Sequence, residues 1–182
     1  MYKVLIVDDE QLIRSGMIAR FQYLNFKFER IREAASGVEA LALLEKEPAD
    51  IVITDIKMPD MDGMTLIREA KEKYPGTQFV ILSGYAEFEY AETAIELGVK
   101  SYLLKPISND ELKRVMRKLF ETLEKERQME VEIFRKHQLE TEQKGWLQEK
   151  AVNHLLQDNA AFLTEEEAAQ LKSTCPELWK KE

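Results

Sequence analysis

Ile51-Val52-Ile53-Thr54-Asp55-Ile56-Lys57-Met58-Pro59-Asp60-Met61-Asp62-Gly63 is the stretch on which the reading of this chain turns. A short run of β-forming residues bounded by turn residues predicts a buried strand. Pro59 cannot continue a sheet, and Asp62-Gly63 is turn chemistry ahead of the next helical pattern. Asp55 therefore falls at the C-terminal tip of the strand, the end at which open α/β sheets place their ligands. A solitary aspartate there is more often a turn former or a helix cap. Its surroundings decide otherwise.

Toward the N-terminus, Tyr2 to Val7 is a near-continuous apolar run, as expected of a strand buried on both faces. It ends in Asp8-Asp9-Glu10, and a helical pattern follows with Leu12, Ile13, Met17, Phe21 and Leu24 on one side. A second strand is predicted around Arg30 to Ala34. Ser36 then caps a helix to about Lys46, with Glu39 as capping-box partner and Val38, Leu41 and Leu44 as its apolar stripe. Beyond Gly63, the residues Met64, Ile67, Ala70 and Tyr74 have helical spacing, and Pro75-Gly76 ends that helix. A fourth strand spans Gln78 to Leu82 and leads into Ser83-Gly84-Tyr85. A short helix from Phe88 to Leu97 stops at Gly98, and Ser101 to Leu104 forms a fifth strand before Lys105-Pro106. From Asn109 a helical pattern runs past Leu123. Strands alternating with helices imply βαβ units and a doubly wound, five-stranded parallel α/β sheet.

Composition narrows the function classes. The chain has 182 residues, 45% hydrophobic and 33% charged, and suits one small domain plus an appendage. A formal charge of −8 argues against a nucleic-acid surface, which needs a basic stripe to displace counterions. One cysteine, Cys175, excludes an intrachain disulfide and a cysteine-based zinc site. Neither a signal-peptide core nor an apolar run of about 18 residues is present, so no membrane segment and a cytoplasmic location are expected.

The strand ends carry the chemistry. In the order 2-1-3-4-5 the first and third strands are neighbours at the point where the winding reverses. Asp8, Asp9 and Asp55 then meet at one crevice, where like charges repel. A hard divalent cation relieves that repulsion, and all-oxygen ligation with several waters suits Mg²⁺. Ser83 supplies a hydroxyl donor and Lys105 a positive charge, which makes a phosphoryl group the natural guest. Taken singly, Ser83 reads as a helix cap and Lys105 as a solvated loop end. Together at one sheet edge they compose a phosphoryl site.

Residues 1–122 resemble the receiver domain of a two-component response regulator. The resemblance rests on Val7-Asp8-Asp9-Glu10, Asp55 through Gly63, Ser83-Gly84-Tyr85 and Tyr102-Leu103-Leu104-Lys105-Pro106. It implies a flavodoxin-like fold and a phosphoacceptor aspartate, Asp55, charged from a phosphohistidine on a sensor histidine kinase. It also implies Mg²⁺ ligation by Asp9, Asp55 and the backbone carbonyl of Lys57, with Asp8 acting mainly through water. Lys105 would pair with the phosphoryl oxygens, and its bond to Pro106 would be cis. Ser83 and Tyr102 would form the switch pair. Lys57 and Tyr85, two residues beyond Asp55 and Ser83, would shield the phosphoryl group from water. On this reading the chain is not a turnover enzyme but catalyses only its own phosphorylation and dephosphorylation.

The wording Asp55-Ile56-Lys57-Met58-Pro59 and the long charged extension are similar, more narrowly, to AraC-type transcription regulators of the YesN kind. That group carries a C-terminal helix-turn-helix pair larger than the 60 residues after position 122, which show no basic recognition helix. The expected organisation is a receiver at 1–122, an extended helix at 123–144 and a partial helical linker region at 145–182, interrupted at Gly145, with the DNA-binding output domain missing. A weak homodimer through residues 120–144 is expected. Leu119, Glu126, Ile133 and Glu140 would occupy one core position of a coiled coil, and Thr122, Met129 and Lys136 the other. The main rival function is a Mg²⁺-dependent phosphatase or phosphotransferase of the haloacid-dehalogenase kind. Those enzymes place a general acid two residues after the nucleophile, where this chain has Lys57.

Overall fold

The computed structural model describes residues 1–84 and 88–159, and side chains over 1–84 and 90–142. Five strands alternate with five helices: β1 (Lys3–Val7), α1 (Gln11–Tyr23), β2 (Arg30–Ala34), α2 (Gly37–Lys46), β3 (Ile51–Thr54), α3 (Gly63–Lys73), β4 (Gln78–Ser83), α4 (Phe88–Glu96), β5 (Ser101–Leu104) and α5 (Asn109–Asn159). All sheet pairs are parallel and the strand order is β2-β1-β3-β4-β5, the order read from the sequence.

Side chains alternate across the central strands, so two cores form on the two faces of one sheet. Val4, Ile6, Ile51, Ile53, Val80 and Leu82 pack with Met17 and Phe21 of α1 and with Leu112, Met116 and Leu119 of α5. Leu5, Val7, Val52, Phe79 and Ile81 pack on the opposite side with Ala40 and Leu44 of α2, Ile67 and Ala70 of α3 and Ala94 of α4. Each large apolar side chain removed from water contributes about 1.5–3 kcal/mol, an upper bound given a partly collapsed unfolded chain. These two layers hold the carboxyl ends of β1, β3, β4 and β5 at one rim.

Two of the expected apolar stripes are shifted. Leu12 is 85% exposed and Val38 54% exposed. In α2 the buried positions are Gly37, Ala40 and Leu44. Gly37 is pressed so closely on Met61 that a Cβ there would lie 2.7 Å from Met61 Cγ. With that side of the helix against the loop, Val38 is turned about 100° away, into water. Ala40, too small to stand out in the sequence, takes the place assigned to Val38. The cap is as expected but wider: Ser36 Oγ accepts from Glu39 N at 3.2 Å, while the Glu39 carboxylate accepts from Ala35 N at 2.7 Å.

The chain divides into two units, Met1–Glu126 and Arg127–Glu182. Within the first, the root of α5 is held at the foot of the sheet. Phe120 stacks on Tyr2 with ring centroids 5.2 Å apart, Tyr2 Oη donates to Glu124, and Gln78 Nε2 donates to Glu126 at 2.9 Å. Gly145 does not break the helix, which continues to Asn159. Its two neighbouring turns are rich in helix formers, and one glycine costs only about 1 kcal/mol. Residues 160–182 lie outside the described residues. Met129, Ile133, Phe134 and Leu139 are exposed. Among the described residues no helix is long and apolar enough to cross a membrane.

Candidate functional site

Three backbone hydrogen bonds set the site. Asp8, Asp55 and Lys105 each stand one residue past the end of their strand, and each continues the ladder by donating its N–H to the neighbouring strand. Asp8 N reaches Ala34 O at 3.2 Å, Asp55 N reaches Val7 O at 2.9 Å, and Lys105 N reaches Ser83 O at 2.8 Å. The parallel registers thus carry all three side chains to the same rim, where the sequence placed them.

Lys105 lies between the two acids. Its Nζ donates to Asp8 Oδ2 at 2.7 Å and to Asp55 Oδ2 at 2.6 Å. Each carboxylate spends its other oxygen on main chain: Asp8 Oδ1 accepts from Glu10 N at 3.0 Å, and Asp55 Oδ1 accepts from Ile56 N at 2.5 Å. Asp8 is 2% exposed, Asp55 12% and Lys105 19%. Burial by itself lowers the pKa of Lys105, but the hydrogen bonds and charges of Asp55 and Asp8 outweigh it and hold the ammonium above its ordinary value. Arg14 adds a guanidinium whose Nη1 donates to the carbonyls of Asp8 and Asp9. Sequence reading missed this clamp, since only the one-turn offset into α1 hints at it.

The loop after β3 is shaped around Asp55. Asp60 adopts a φ of 66°, and Asp62 caps α3 by accepting from Thr65 N at 2.7 Å. Gly63 N donates to Ile56 O at 2.8 Å. A Cβ on Gly63 would fall 2.0 Å from Asp55 O, so the start of α3 rests directly on the backbone of the phosphoacceptor candidate. Read from sequence, Gly63 was only a turn residue.

Ser83 is buried at the end of β4, and half-buried Tyr102 pairs in register with Ile81. Strand alternation puts Ser83, Ile81 and Tyr102 on the α3–α4 side of the sheet. The Lys105–Pro106 peptide bond is cis. Lys57 is exposed, and its ammonium stands over the ring of Tyr90 on α4, 5.8 Å from the centroid. Tyr85 lies outside the described residues.

The expected gathering of Asp8, Asp9 and Asp55 differs in one respect. Asp9 is exposed, and among the described residues no group of three acidic, histidine or cysteine side chains is drawn close enough to hold a metal. Lys105 explains this: a cation already bridges Asp8 and Asp55, so their repulsion is relieved from within. The donor set still fits Mg²⁺. Two carboxylates converge on one point, Asp9 adjoins them at the surface, and every donor is a hard oxygen.

The sequence matches the family described as response regulator receiver domain over residues 4–117. It is 43% identical over 112 residues to a protein called uncharacterized transcriptional regulatory protein YesN, from Bacillus subtilis, covering 62% of this chain and 30% of that protein. Transcriptional regulatory protein HptR of Staphylococcus aureus is 37% identical over 123 residues, covering 68% of this chain and 48% of that one. The chain therefore spans between about a third and a half of the length of these relatives. Among solved structures, the receiver domain of AraT, a response regulator from Geobacillus stearothermophilus, superposes with a TM-score of 0.64 at 43% identity, over 69% of this chain and 98% of that one. A two-component transcriptional regulator AraC from Clostridium phytofermentans gives 0.63 at 32% identity, over 69% and 97%.

Proposed function

The chain belongs to the response regulator receiver family, and from that premise we propose that Asp55 accepts a phosphoryl group from the phosphohistidine of a sensor kinase. The observation that supports this most directly is the Lys105 ammonium held between Asp55 and Asp8 at the sheet rim. An Asp55 oxygen attacks phosphorus in line. The new O–P bond forms as the P–N bond to the donor imidazole breaks, and the imidazole leaves as the neutral ring once protonated. Lys105, placed between the acids, turns to the equatorial oxygens as charge develops there. Mg²⁺, held by Asp9, Asp55 and the Lys57 carbonyl with Asp8 acting through water, would neutralise further charge on those oxygens. The Ser83 hydroxyl donates to the arriving phosphoryl oxygen, and Tyr102, on the same side of the sheet, turns inward.

Incubation with acetyl phosphate and Mg²⁺ should add one phosphoryl mass that is stable to acid and lost in base. Asp55→Asn should add none. Equal labelling of that variant would move the site elsewhere.

Two finer roles belong to the same reading. Lys57 and Tyr85 limit the approach of water to the acyl phosphate, so alanine at both positions should shorten its half-life several-fold. An unchanged half-life would remove the shielding role. Residues 120–144 form a weak homodimer seam that phosphorylation strengthens, delivering the signal to a DNA-binding output domain of the longer regulator in the cytoplasm. Sedimentation of the full chain should show concentration-dependent association that increases with phosphorylation. A monomer at every concentration, in both states, would sink the seam.

A further inference from the structure

Asp8 and Asp55 have their carboxylates fixed by Lys105 and by main-chain N–H groups. Asp9 is exposed and, among the described residues, is tied through its main chain. The tie comes from α1. Arg14 stands at the end of the first turn of that helix, and helical side chains lean toward the N-terminus, so its guanidinium falls over the residues that precede the helix. There its Nη1 donates to Asp8 O at 2.7 Å and, more distantly, to Asp9 O at 3.4 Å. These two carbonyls belong to the two peptide planes that flank the Asp9 Cα. The second plane is held again where Glu10 N donates to Asp8 Oδ1 at 3.0 Å. Each plane is rigid, so holding both sets the direction of the Asp9 Cα–Cβ bond. The half-buried guanidinium is itself oriented from β2, where Glu33 Oε2 accepts from Arg14 Nε at 3.2 Å.

We propose that Arg14 is a positioning residue for the divalent cation: it aims the Asp9 carboxylate by holding the main chain on both sides of it, and Glu33 keeps the guanidinium turned to both carbonyls. The inference rests on the reading of Asp9 as a Mg²⁺ ligand given above. Charge and position make opposite demands on Arg14. A cation beside the acids repels a second cation, so on charge alone its removal would tighten Mg²⁺ binding. Position works the other way. A carboxylate free to turn must be ordered when the ion binds, and affinity falls. Lysine separates the two contributions, because it keeps the charge while its single ammonium lacks the fork that serves Glu33 and the carbonyls together.

Calorimetric titration of the full chain with Mg²⁺, well below its melting temperature, tests the assignment on folded protein. Arg14→Met and Arg14→Lys should each weaken Mg²⁺ binding by about 5- to 20-fold, although the first removes a positive charge and the second keeps one. Glu33→Met should weaken it by about two- to fivefold and add little to Arg14→Lys, as expected when both act through one contact. Tighter binding by Arg14→Met, or wild-type binding by Arg14→Lys, would show that only charge matters and overturn the positioning role. Phosphorylation by acetyl phosphate supplies the second readout. In both Arg14 variants the Mg²⁺ concentration giving half the maximal rate should rise in step with the calorimetric shift, while the rate at saturating Mg²⁺ returns to within about twofold of wild type. A loss of rate that no Mg²⁺ restores would mean a general collapse of the rim and would overturn the proposal. A wild-type chain that takes up no Mg²⁺ would instead strike the reading of Asp9 as a ligand, and this inference with it, before any variant is compared.

Discussion

Replacing Lys105 with methionine should cost the metal-free chain about 2–3 kcal/mol at pH 7, measured by urea denaturation. Removing one partner of a fully buried ion pair typically costs about 3–5 kcal/mol, because the remaining charge is left uncompensated. Two carboxylates, on Asp8 and Asp55, would be left facing each other here, but Lys105 is 19% exposed, which admits some water and lowers the figure. The pH dependence has a definite sign. The pKa of Lys105 is raised in the folded state above its ordinary 10.5, so its stabilisation is present in full below 10.5 and is lost as pH climbs through the raised value. The gap between wild type and variant should therefore be constant through neutral pH and close above 10.5. Mg²⁺ should raise the melting temperature of the variant more than that of wild type, since no ammonium would then stand between Asp8 and Asp55. Phosphorylation by acetyl phosphate should slow by about 10²–10³-fold, the usual cost of removing a donor aimed at developing charge. A variant as stable as wild type would show that the bridge contributes nothing.

Gly63→Ala should be at least as disruptive although it adds one methyl group. The new Cβ would sit 2.0 Å from Asp55 O, 3.0 Å from Asp55 C and 3.2 Å from Ile56 Cα. All three neighbours are main chain, so no flexible side chain can yield, and either α3 or the end of β3 must move. Overpacking of side chains costs about 1–3 kcal/mol, and a clash with backbone falls at or above the upper end of that range. A melting temperature lower by roughly 10 °C is expected for a unit of this size. Phosphate uptake should fall beyond what unfolding explains, because Asp55 itself is displaced. Gly16→Ala is the matching control. Gly16 has nothing within 4 Å of its Cβ position and lies inside α1, so alanine should stabilise by up to about 1 kcal/mol. Equal melting temperatures for Gly63→Ala and wild type would contradict the close approach.

Much of the site was legible because strand ends are. Apolar runs that stop at Asp8, Asp55, Ser83 and Lys105 locate four rim positions from periodicity alone, and the winding order brings them together. Side-chain orientation was less legible on the helices. Val38 and Leu12 are apolar and correctly spaced, yet exposed. For Val38 the cause is that the rotation of α2 is set by the contact of Gly37 with Met61 rather than by its own pattern. Gly145 reads as a helix stop, but α5 passes through it, because one glycine does not outweigh strong helix formers on either side.

Local sequence determined the strand and helix order, the caps at Ser36 and Asp62, and which residues stand at the sheet's rim, since these depend on periodicity and short-range hydrogen bonds. Tertiary structure alone decided who pairs with whom there. Sequence suggested three mutually repelling acids awaiting a metal, whereas the fold sets Lys105, from the far edge strand, between Asp8 and Asp55 and leaves Asp9 outside. It likewise decided that Lys57 lies over Tyr90 and that Gly63 supports Asp55. The contacts of Lys105 and Lys57 join positions distant along the chain, and all of these contacts are set by distances of a few ångströms that no local pattern encodes.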